Sequence, residues 1–122
     1  MERKRMLIAD DQIATREALA KFAKLEGYDV VAVTNGVELL ETVSRERFDV
    51  VITDLVMPGM NGVSAAELIR ARGVETPIVA LTGLPLHDVQ EAYDGFAKIY
   101  HKPVNASSLM DDLEALLQPP SN

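Results

Sequence analysis

Short apolar segments and longer amphipathic segments alternate along the whole chain. Four runs are almost entirely apolar and a fifth is weaker; they lie at residues 6–9, 30–33, 50–52, 78–81 and 99–100. The four strong runs do not alternate between apolar and polar positions, and most of their side chains are aliphatic. Runs of this kind are typical of strands that are buried on both faces of a sheet. We therefore predict five strands, four of them buried on both faces.

Five helices are predicted between and after these strands from the spacing of apolar residues. The first carries Ile13, Leu19, Phe22 and Leu25 on one face, with Gly27 as a C-terminal stop signal. The others are predicted after Asn35, over residues 62–72, over residues 86–94 and after Asn105. Asparagine is a preferred N-cap residue, which supports two of these starts.

The order of these segments predicts an α/β protein. Five strand-then-helix units indicate an open, doubly wound parallel sheet with helices on both faces. Right-handed crossovers leave few topologies, and five strands favour the flavodoxin-like order 2-1-3-4-5. We expect one domain over residues 1–118, followed by a tail or the start of a linker at residues 119–122.

Charge and cysteine content exclude several classes of function. The chain has 12 Lys and Arg against 19 Asp and Glu, which gives a net charge of −7, and it has no Cys. An acidic domain lacks the basic face that binding to a phosphate backbone requires, so direct contact with nucleic acid is not expected. Disulfides and thiolate metal sites are excluded, and no apolar run has the length of a membrane span. We expect a cytoplasmic protein.

Residues capable of chemistry follow the predicted strands. The pair Asp10 and Asp11 follows the first strand, Asp54 ends the third, Thr82 ends the fourth and Lys102 follows the fifth. All strands of a parallel sheet have their carboxyl ends at one edge. Strands 1 and 3 are neighbours at the point where the strand order reverses, which is where ligands bind in such sheets. We expect these five side chains to meet in one cleft.

Three carboxylates in one cleft must take up a proton, bind cations, or do both. Two carboxylates about 4 Å apart repel by roughly 4 kcal/mol at an effective dielectric constant near 20. Lys102 supplies one positive charge, and hard oxygen ligands without His or Cys suit Mg²⁺ for the remainder. A lysine, a hydroxyl and a cation around one carboxylate are the groups that stabilise a phosphoryl group during transfer. Asp54 is the candidate nucleophile, because carboxylates form aspartyl phosphates.

These residues resemble a known family. Two acids at residues 10–11, the sequence DLVMPGMNG at residues 54–62, Thr82, and Lys-Pro at residues 102–103 are similar to the motifs of the receiver domains of bacterial two-component response regulators. The resemblance covers residues 6–117, almost the whole chain. It implies a phosphorylation switch in a phosphorelay and not a metabolic enzyme.

The resemblance implies a role for each acid of the cleft. Asp54 would accept a phosphoryl group from the phosphohistidine of a histidine kinase or a histidine phosphotransfer protein. Asp11, Asp54 and the backbone carbonyl of Val56 would bind Mg²⁺ directly. Asp10 would assist through a water molecule.

The resemblance also implies how phosphorylation changes the protein. Lys102 would pair with the phosphoryl oxygens, and the Thr82 hydroxyl would move toward the phosphate together with the loop that follows it. A cis peptide bond would precede Pro103. An output protein, or an effector domain fused to the same chain, would then bind the altered surface.

Two features depart from the usual pattern of this family. Ile99 stands three positions before the lysine, where receiver domains usually have an aromatic residue, and Tyr100 follows it. Because a shift of one position along a strand reverses the direction of the side chain, we expect Tyr100 to pack beneath the last helix. The two positions that influence dephosphorylation hold the apolar Val56 and Leu84, so we expect a long-lived phosphoryl group.

Three other classes of protein compete with this interpretation. A flavodoxin-like cofactor-binding protein needs a loop rich in Ser, Thr and Gly after the first strand, where this chain has acids at residues 10–11. A phosphatase with an aspartate nucleophile needs a second acid at the position of Val56. A degenerate receiver that acts as a protein-interaction module, independent of phosphorylation, is the main alternative, since Ile99 alters the usual switch.

Overall fold

The computed structural model describes residues 3–118, which form one parallel sheet flanked by helices. The strands are β1 (Arg5–Ala9), β2 (Asp29–Val33), β3 (Val50–Asp54), β4 (Ile78–Thr82) and β5 (Lys98–His101). The helices are α1 (Ile13–Leu25), α2 (Gly36–Arg45), α3 (Gly62–Ala71), α4 (Leu86–Ala92) and α5 (Ala106–Leu116). The strand order is β2-β1-β3-β4-β5, and every neighbouring pair is parallel. The predicted flavodoxin-like α/β fold is confirmed; the predicted tail at residues 119–122 lies outside the described residues.

The central strands contribute side chains to two cores, one on each face of the sheet. In β1, Leu7 and Ala9 pack with residues of α2 and α3, whereas Met6 and Ile8 pack with residues of α1 and α5. Every residue of β3 and β4 is buried. The prediction of burial on both faces is therefore confirmed for β1, β3 and β4.

The second strand is less buried than its sequence predicts. β2 lies at an edge of the sheet and pairs with β1 alone. Only Val33 of its five residues is buried, and Asp29 and Ala32 are exposed. The prediction that β2 is buried on both faces is wrong, because an aliphatic run such as residues 30–33 occurs in edge strands as well as in central strands.

Helix α1 contacts the sheet through a narrower stripe than predicted. Its buried residues are Leu19 and Ala23, whereas Ile13, Phe22 and Leu25 are 61%, 41% and 75% exposed. The prediction of one shared apolar face is wrong for these three residues. Small residues such as Ala23 allow a helix to pack close to a sheet. The exposure of the other apolar side chains is not unusual, because single apolar side chains are common on protein surfaces.

Asparagine side chains begin three of the helices. Asn35, Asn61 and Asn105 each accept a hydrogen bond from the backbone N–H three residues later, at 2.9, 2.9 and 3.0 Å. The predicted helix starts after Asn35 and Asn105 are confirmed. The longest helix, α1, has 13 residues, and no helix between residues 3 and 118 has the length and apolar character needed to cross a membrane.

Candidate functional site

Three carboxylates meet at the carboxyl edge of the sheet. Asp10 and Asp11 follow β1, Asp54 is the last residue of β3, and the two strands are neighbours. One oxygen from each carboxylate lies within 4.8 Å of the others. Asp10 is fully buried and Asp54 is 5% exposed, whereas Asp11 is exposed to solvent. The three acids therefore form a cleft that is open to solvent at Asp11.

Lys102 supplies a positive charge inside this cleft. Its Nζ lies 2.9 Å from Asp54 Oδ2 and 3.4 Å from Asp10 Oδ2. Burial by itself lowers the pKa of Lys102, but the hydrogen bond to Asp54 and the charges of Asp10 and Asp54 outweigh it, so that this pKa is raised above its ordinary value. Lys102 is therefore charged at neutral pH. One lysine against three carboxylates leaves the cleft with an excess of negative charge.

Asp10 is the most deeply buried of the three acids. Burial raises the pKa of Asp10, and the charge of Asp54 adds to this effect, whereas the backbone N–H of Gln12 and the charge of Lys102 oppose it. The Gln12 N–H donates to Asp10 Oδ1 at 2.9 Å, and Lys102 contacts Oδ2. Because each oxygen has its own donor, Asp10 holds the lysine in place beside Asp54.

Close packing of the backbone holds Asp54 at the edge of the sheet. Gly62, the first residue of α3, lies against the end of β3: a Cβ atom there would be 2.5 Å from the carbonyl oxygen of Asp54. The Gly62 N–H donates to the carbonyl of Leu55 at 2.9 Å. The Val56 N–H donates to Asp54 Oδ1 at 3.3 Å. The loop over residues 55–61 therefore brings the start of α3 back against the end of β3.

Most of the chain matches the sequence model of one known protein family. The model for the response regulator receiver domain matches residues 6–114. The chain belongs to this family. It is a receiver domain of two-component response regulators, a signalling module rather than a metabolic enzyme, and its acidic cleft fits a phosphorylation site. The family and the fold predicted from the sequence are confirmed.

Curated relatives of this receiver domain are longer proteins. Response regulator MprA from Mycobacterium leprae is 34% identical over 116 residues, which are 93% of this chain and 51% of that protein. Response regulator protein FleR from Pseudomonas aeruginosa is 37% identical over 109 residues, which are 88% and 23% of the two. Transcription factor SKN7 from Saccharomyces cerevisiae is 31% identical over 114 residues, which are 92% and 18%. The chain thus spans about half or less of the length of these relatives.

Solved structures of receiver domains share the fold. Chemotaxis response regulator CheY4 of Vibrio cholerae has a TM-score of 0.86 and 28% identity, over 94% of this chain and 99% of that one. Response regulator TrrA from Thermotoga maritima, in complex with Mg²⁺-BeF, has a TM-score of 0.84 and 29% identity over 93% and 98%. The receiver domain of the sensor histidine kinase PA1611 from Pseudomonas aeruginosa, with a magnesium ion coordinated in its active-site cleft, has a TM-score of 0.85 and 25% identity over 95% and 98%.

Thr82 of this receiver domain is close to the cleft, but its hydroxyl is engaged elsewhere. Thr82 is fully buried, and its Oγ1 accepts a hydrogen bond from the N–H of Leu84 at 2.9 Å. Its carbonyl accepts from the Lys102 N–H at 2.8 Å, and the peptide bond between Lys102 and Pro103 is cis, as predicted. A movement of the Thr82 hydroxyl toward Asp54 would therefore either break its bond to the N–H of Leu84 or carry the loop that begins at residue 83 with it.

Ile99 and Tyr100 of the receiver domain point to opposite faces of β5. Ile99 packs with the small cluster around Val89 of α4. Tyr100 packs with the core beneath α5, and its hydroxyl donates to Asp112 on that helix. Burial and then this hydrogen bond raise the pKa of Tyr100. The predicted place of Tyr100 is confirmed, and the phenol is fixed to α5 rather than directed toward α4.

Sequence reasoning overlooked Arg16. Its Nη1 donates to the backbone carbonyl of Asp10 at 2.9 Å. The available signal was its spacing, since Arg16 lies four residues after Gln12 and one helical turn returns it to the loop between β1 and α1. A single arginine on a helix is usually solvated, so spacing without tertiary structure does not assign it to the cleft.

Proposed function

We propose that Asp54 accepts a phosphoryl group from a phosphohistidine donor. An oxygen of the Asp54 carboxylate attacks phosphorus, the P–N bond to the donor imidazole breaks, and its electron pair stays on the imidazole nitrogen. The product is an aspartyl phosphate on Asp54. The observation that supports this role best is the 2.9 Å contact between Lys102 Nζ and Asp54 Oδ2, because it places a cation beside the attacking group.

The donor atoms of the cleft fit Mg²⁺. Three carboxylate oxygens lie within 4.8 Å of one another, and oxygen is the ligand type that this ion prefers. We propose that Asp11, Asp54 and the backbone carbonyl of Val56 bind Mg²⁺ and that Asp10 assists through water, as the similar structures with magnesium support. When bound, the ion supplies positive charge that offsets repulsion between the acids and the phosphoryl oxygens.

The residues around Asp54 would transmit its phosphorylation. Lys102 would contact the new phosphoryl oxygens while Asp10 continues to hold its ammonium group. The Thr82 hydroxyl would leave the N–H of Leu84 and donate to the phosphoryl group. Because residue 84 leads directly into α4, this exchange of hydrogen bonds would shift the equilibrium between two positions of that helix.

The donor and the partner that responds belong to the same proposal. A histidine kinase or a histidine phosphotransfer protein would supply the phosphoryl group, and an output protein or a fused effector domain would respond to it. The greater length of MprA and FleR supports a fused effector domain, and we propose that the receiver domain itself spans residues 1–118. We propose that the protein acts in the cytoplasm, which its membership of the receiver-domain family supports.

A second candidate function is that of an interaction module that works without phosphorylation. The observation in its favour is that Tyr100 is hydrogen-bonded to Asp112 on α5. Ile99, the residue that faces α4, has no hydroxyl for a hydrogen bond. Phosphorylation of Asp54 is therefore tested directly, because its absence would favour this second candidate.

Incubation with Mg²⁺ and acetyl phosphate tests the acceptor role. We expect intact-mass spectrometry to show a species heavier by about 80 Da, the mass of one HPO₃ group. Asp54→Ala should abolish this species, whereas Asp94→Ala, which removes an exposed acid beyond α4, should retain it. An unmodified wild-type protein would favour the interaction module, whereas a modified Asp54→Ala variant would show that the acceptor is a residue other than Asp54.

The apolar residues Val56 and Leu84 are expected to prolong the phosphorylated state. They are 60% and 44% exposed, and neither can orient a water molecule for attack on phosphorus. Val56→Asn combined with Leu84→Glu should accelerate loss of the phosphoryl group by about tenfold, which corresponds to about 1.4 kcal/mol of activation free energy. The decay of the heavier species in Mg²⁺ buffer measures this, with Val56→Leu plus Leu84→Met as the apolar control. Equal or slower decay in the polar variant would contradict the explanation.

A further inference from the structure

A side chain outside the predicted site holds the peptide group that joins two of its acids. Arg16 lies early in α1, and its Nη1 donates to the carbonyl oxygen of Asp10 at 2.9 Å. This carbonyl belongs to the planar peptide unit between Asp10 and Asp11. A hydrogen bond that fixes this carbonyl also fixes the orientation of the peptide plane, which contains the N and Cα atoms of Asp11. Arg16 therefore controls the direction in which the exposed acid leaves β1.

The carbonyl of Asp10 depends on this contact, because Asp10 lies just beyond the end of β1 and a neighbouring strand no longer supplies a donor for it. The Asp10 N–H donates to the carbonyl of Val33 at 3.2 Å, just beyond the last residue pair of β1 and β2. Asp10 is fully buried, and a buried carbonyl needs a donor. A guanidinium provides a charge-assisted hydrogen bond, which is roughly twice as strong as a neutral one. The Asp10 backbone is thus held from β2 through its N–H and from α1 through its carbonyl.

An acid at the start of α2 interacts electrostatically with Arg16. Glu38 Oε1 accepts hydrogen bonds from the N–H and the hydroxyl of Thr34, at 2.8 and 2.6 Å. These bonds, and then the positive charge of Arg16, lower the pKa of Glu38. The half-buried Arg16 side chain therefore places a positive charge that favours the charged form of Glu38, while its Nη1 donates to the Asp10 carbonyl. A guanidinium holds its N–H donors in a rigid plane, which suits it to a fixed carbonyl better than the flexible ammonium of a lysine.

We propose that Arg16 is a positioning residue for the acidic cleft. It aligns the Asp10–Asp11 peptide so that the Asp11 carboxylate faces Asp54, and it thereby strengthens the binding of a divalent cation. The inference rests on the proposed function, in which Asp11 and Asp54 hold Mg²⁺. Arg16 acts through the backbone and touches neither the ion nor the phosphoryl group.

The direction of the effect separates positioning from simple electrostatics. Removing a positive charge from the neighbourhood of an acidic cleft strengthens the attraction of that cleft for a cation. Loss of alignment weakens it. A substitution that neutralises Arg16 and lowers Mg²⁺ affinity is therefore explained by geometry and not by charge.

Isothermal titration of the full chain with Mg²⁺ tests the proposal. Arg16→Met keeps an unbranched apolar stem but removes every donor, and we expect its dissociation constant for Mg²⁺ to rise about tenfold. Lys21→Met removes the same charge from an exposed position of α1 and should bind Mg²⁺ as tightly as the wild type or slightly more tightly. Arg16→Lys, which keeps one cationic donor, should recover part of the lost affinity. Thermal unfolding without Mg²⁺ reports on the fold of each variant separately.

Each outcome of the titration has one meaning. A wild-type protein that binds no Mg²⁺ contradicts the proposed function and, with it, the role of Arg16. A wild-type protein that binds, together with an Arg16→Met variant that binds equally or more tightly, overturns the positioning role and leaves the proposed function intact. If Arg16→Met does not fold, Arg16→Gln takes its place with the same expected weakening. An equal loss in Lys21→Met would also overturn the proposal.

Discussion

Replacing Lys102 by methionine is expected to slow phosphorylation of Asp54 by about 100-fold or more. The Lys102 ammonium lies 2.9 Å from Asp54 Oδ2, where it can neutralise charge that develops on the phosphoryl oxygens. Loss of one preorganised donor at such a position costs about 10²- to 10³-fold in rate. Methionine keeps the aliphatic stem, so that packing around the cleft is preserved. The initial rate of formation of the heavier species, with acetyl phosphate and saturating Mg²⁺, measures the effect.

The same substitution should also destabilise the protein. It leaves Asp10 and Asp54 buried without their cationic partner, and breaking a buried ion pair from one side costs several kcal/mol. We expect a loss of about 2 kcal/mol in the free energy of unfolding, because the Lys102 side chain is 22% exposed and partly screened by water. Lys98→Met, at an exposed position of β5, the strand that Lys102 follows, is the matched control. A wild-type rate in Lys102→Met, or an equal loss of rate in Lys98→Met, would contradict the role of Lys102.

Replacing Gly62 by alanine is expected to lower the free energy of unfolding by about 3 kcal/mol and to impair phosphorylation. The added Cβ would lie 2.5 Å from the carbonyl oxygen of Asp54 and 2.9 Å from Leu55 Cα. Both are backbone atoms, so α3 or the end of β3 must move, and overpacking of this kind typically costs 1–3 kcal/mol or more. Movement of β3 would displace the Asp54 carboxylate from Lys102. Urea unfolding and the phosphorylation rate together measure the effect.

Gly83→Ala is the control for this substitution. A Cβ at Gly83 would meet no atom within 4 Å, and the backbone there does not have a positive φ. We expect its stability to equal or slightly exceed that of the wild type, because alanine reduces the entropy of the unfolded chain. Equal stabilities of the Gly62→Ala and Gly83→Ala variants would show that the close approach at α3 is easily relieved.

The meeting of the acids with Lys102 could be predicted from the sequence because all strands of a parallel sheet end at one edge. Their unequal burial could not. Asp10 and Asp11 are adjacent and identical in type, yet one is fully buried and the other is exposed. Which of the two faces solvent depends on how the chain turns from β1 into α1. The metal-binding and catalytic roles of these residues stay predictions until the experiments above are done.

Two other features depend on tertiary contacts that sequence spacing does not encode. The apolar residues Ile13 and Leu25 fit the helical period of α1 but are exposed, because period alone does not say how wide a stripe the sheet covers. The hydrogen bond of Arg16 to the Asp10 carbonyl joins a side chain to a backbone atom. Because every residue has a backbone carbonyl, the sequence does not indicate which one a side chain will contact. In contrast, the single-residue offset of Tyr100 was predictable, because the alternation of a strand is strict.

Helix α4 is the shortest of the five helices in the described chain, and Val89 is its one buried residue. The four other helices each bury at least two. A segment retained by so little apolar contact opens locally at a small fraction of the cost of global unfolding. A protein that binds this helix in a new orientation would therefore lose little binding free energy in separating it from the sheet. A small rearrangement at the end of β4 would be enough to change the surface to which that protein binds.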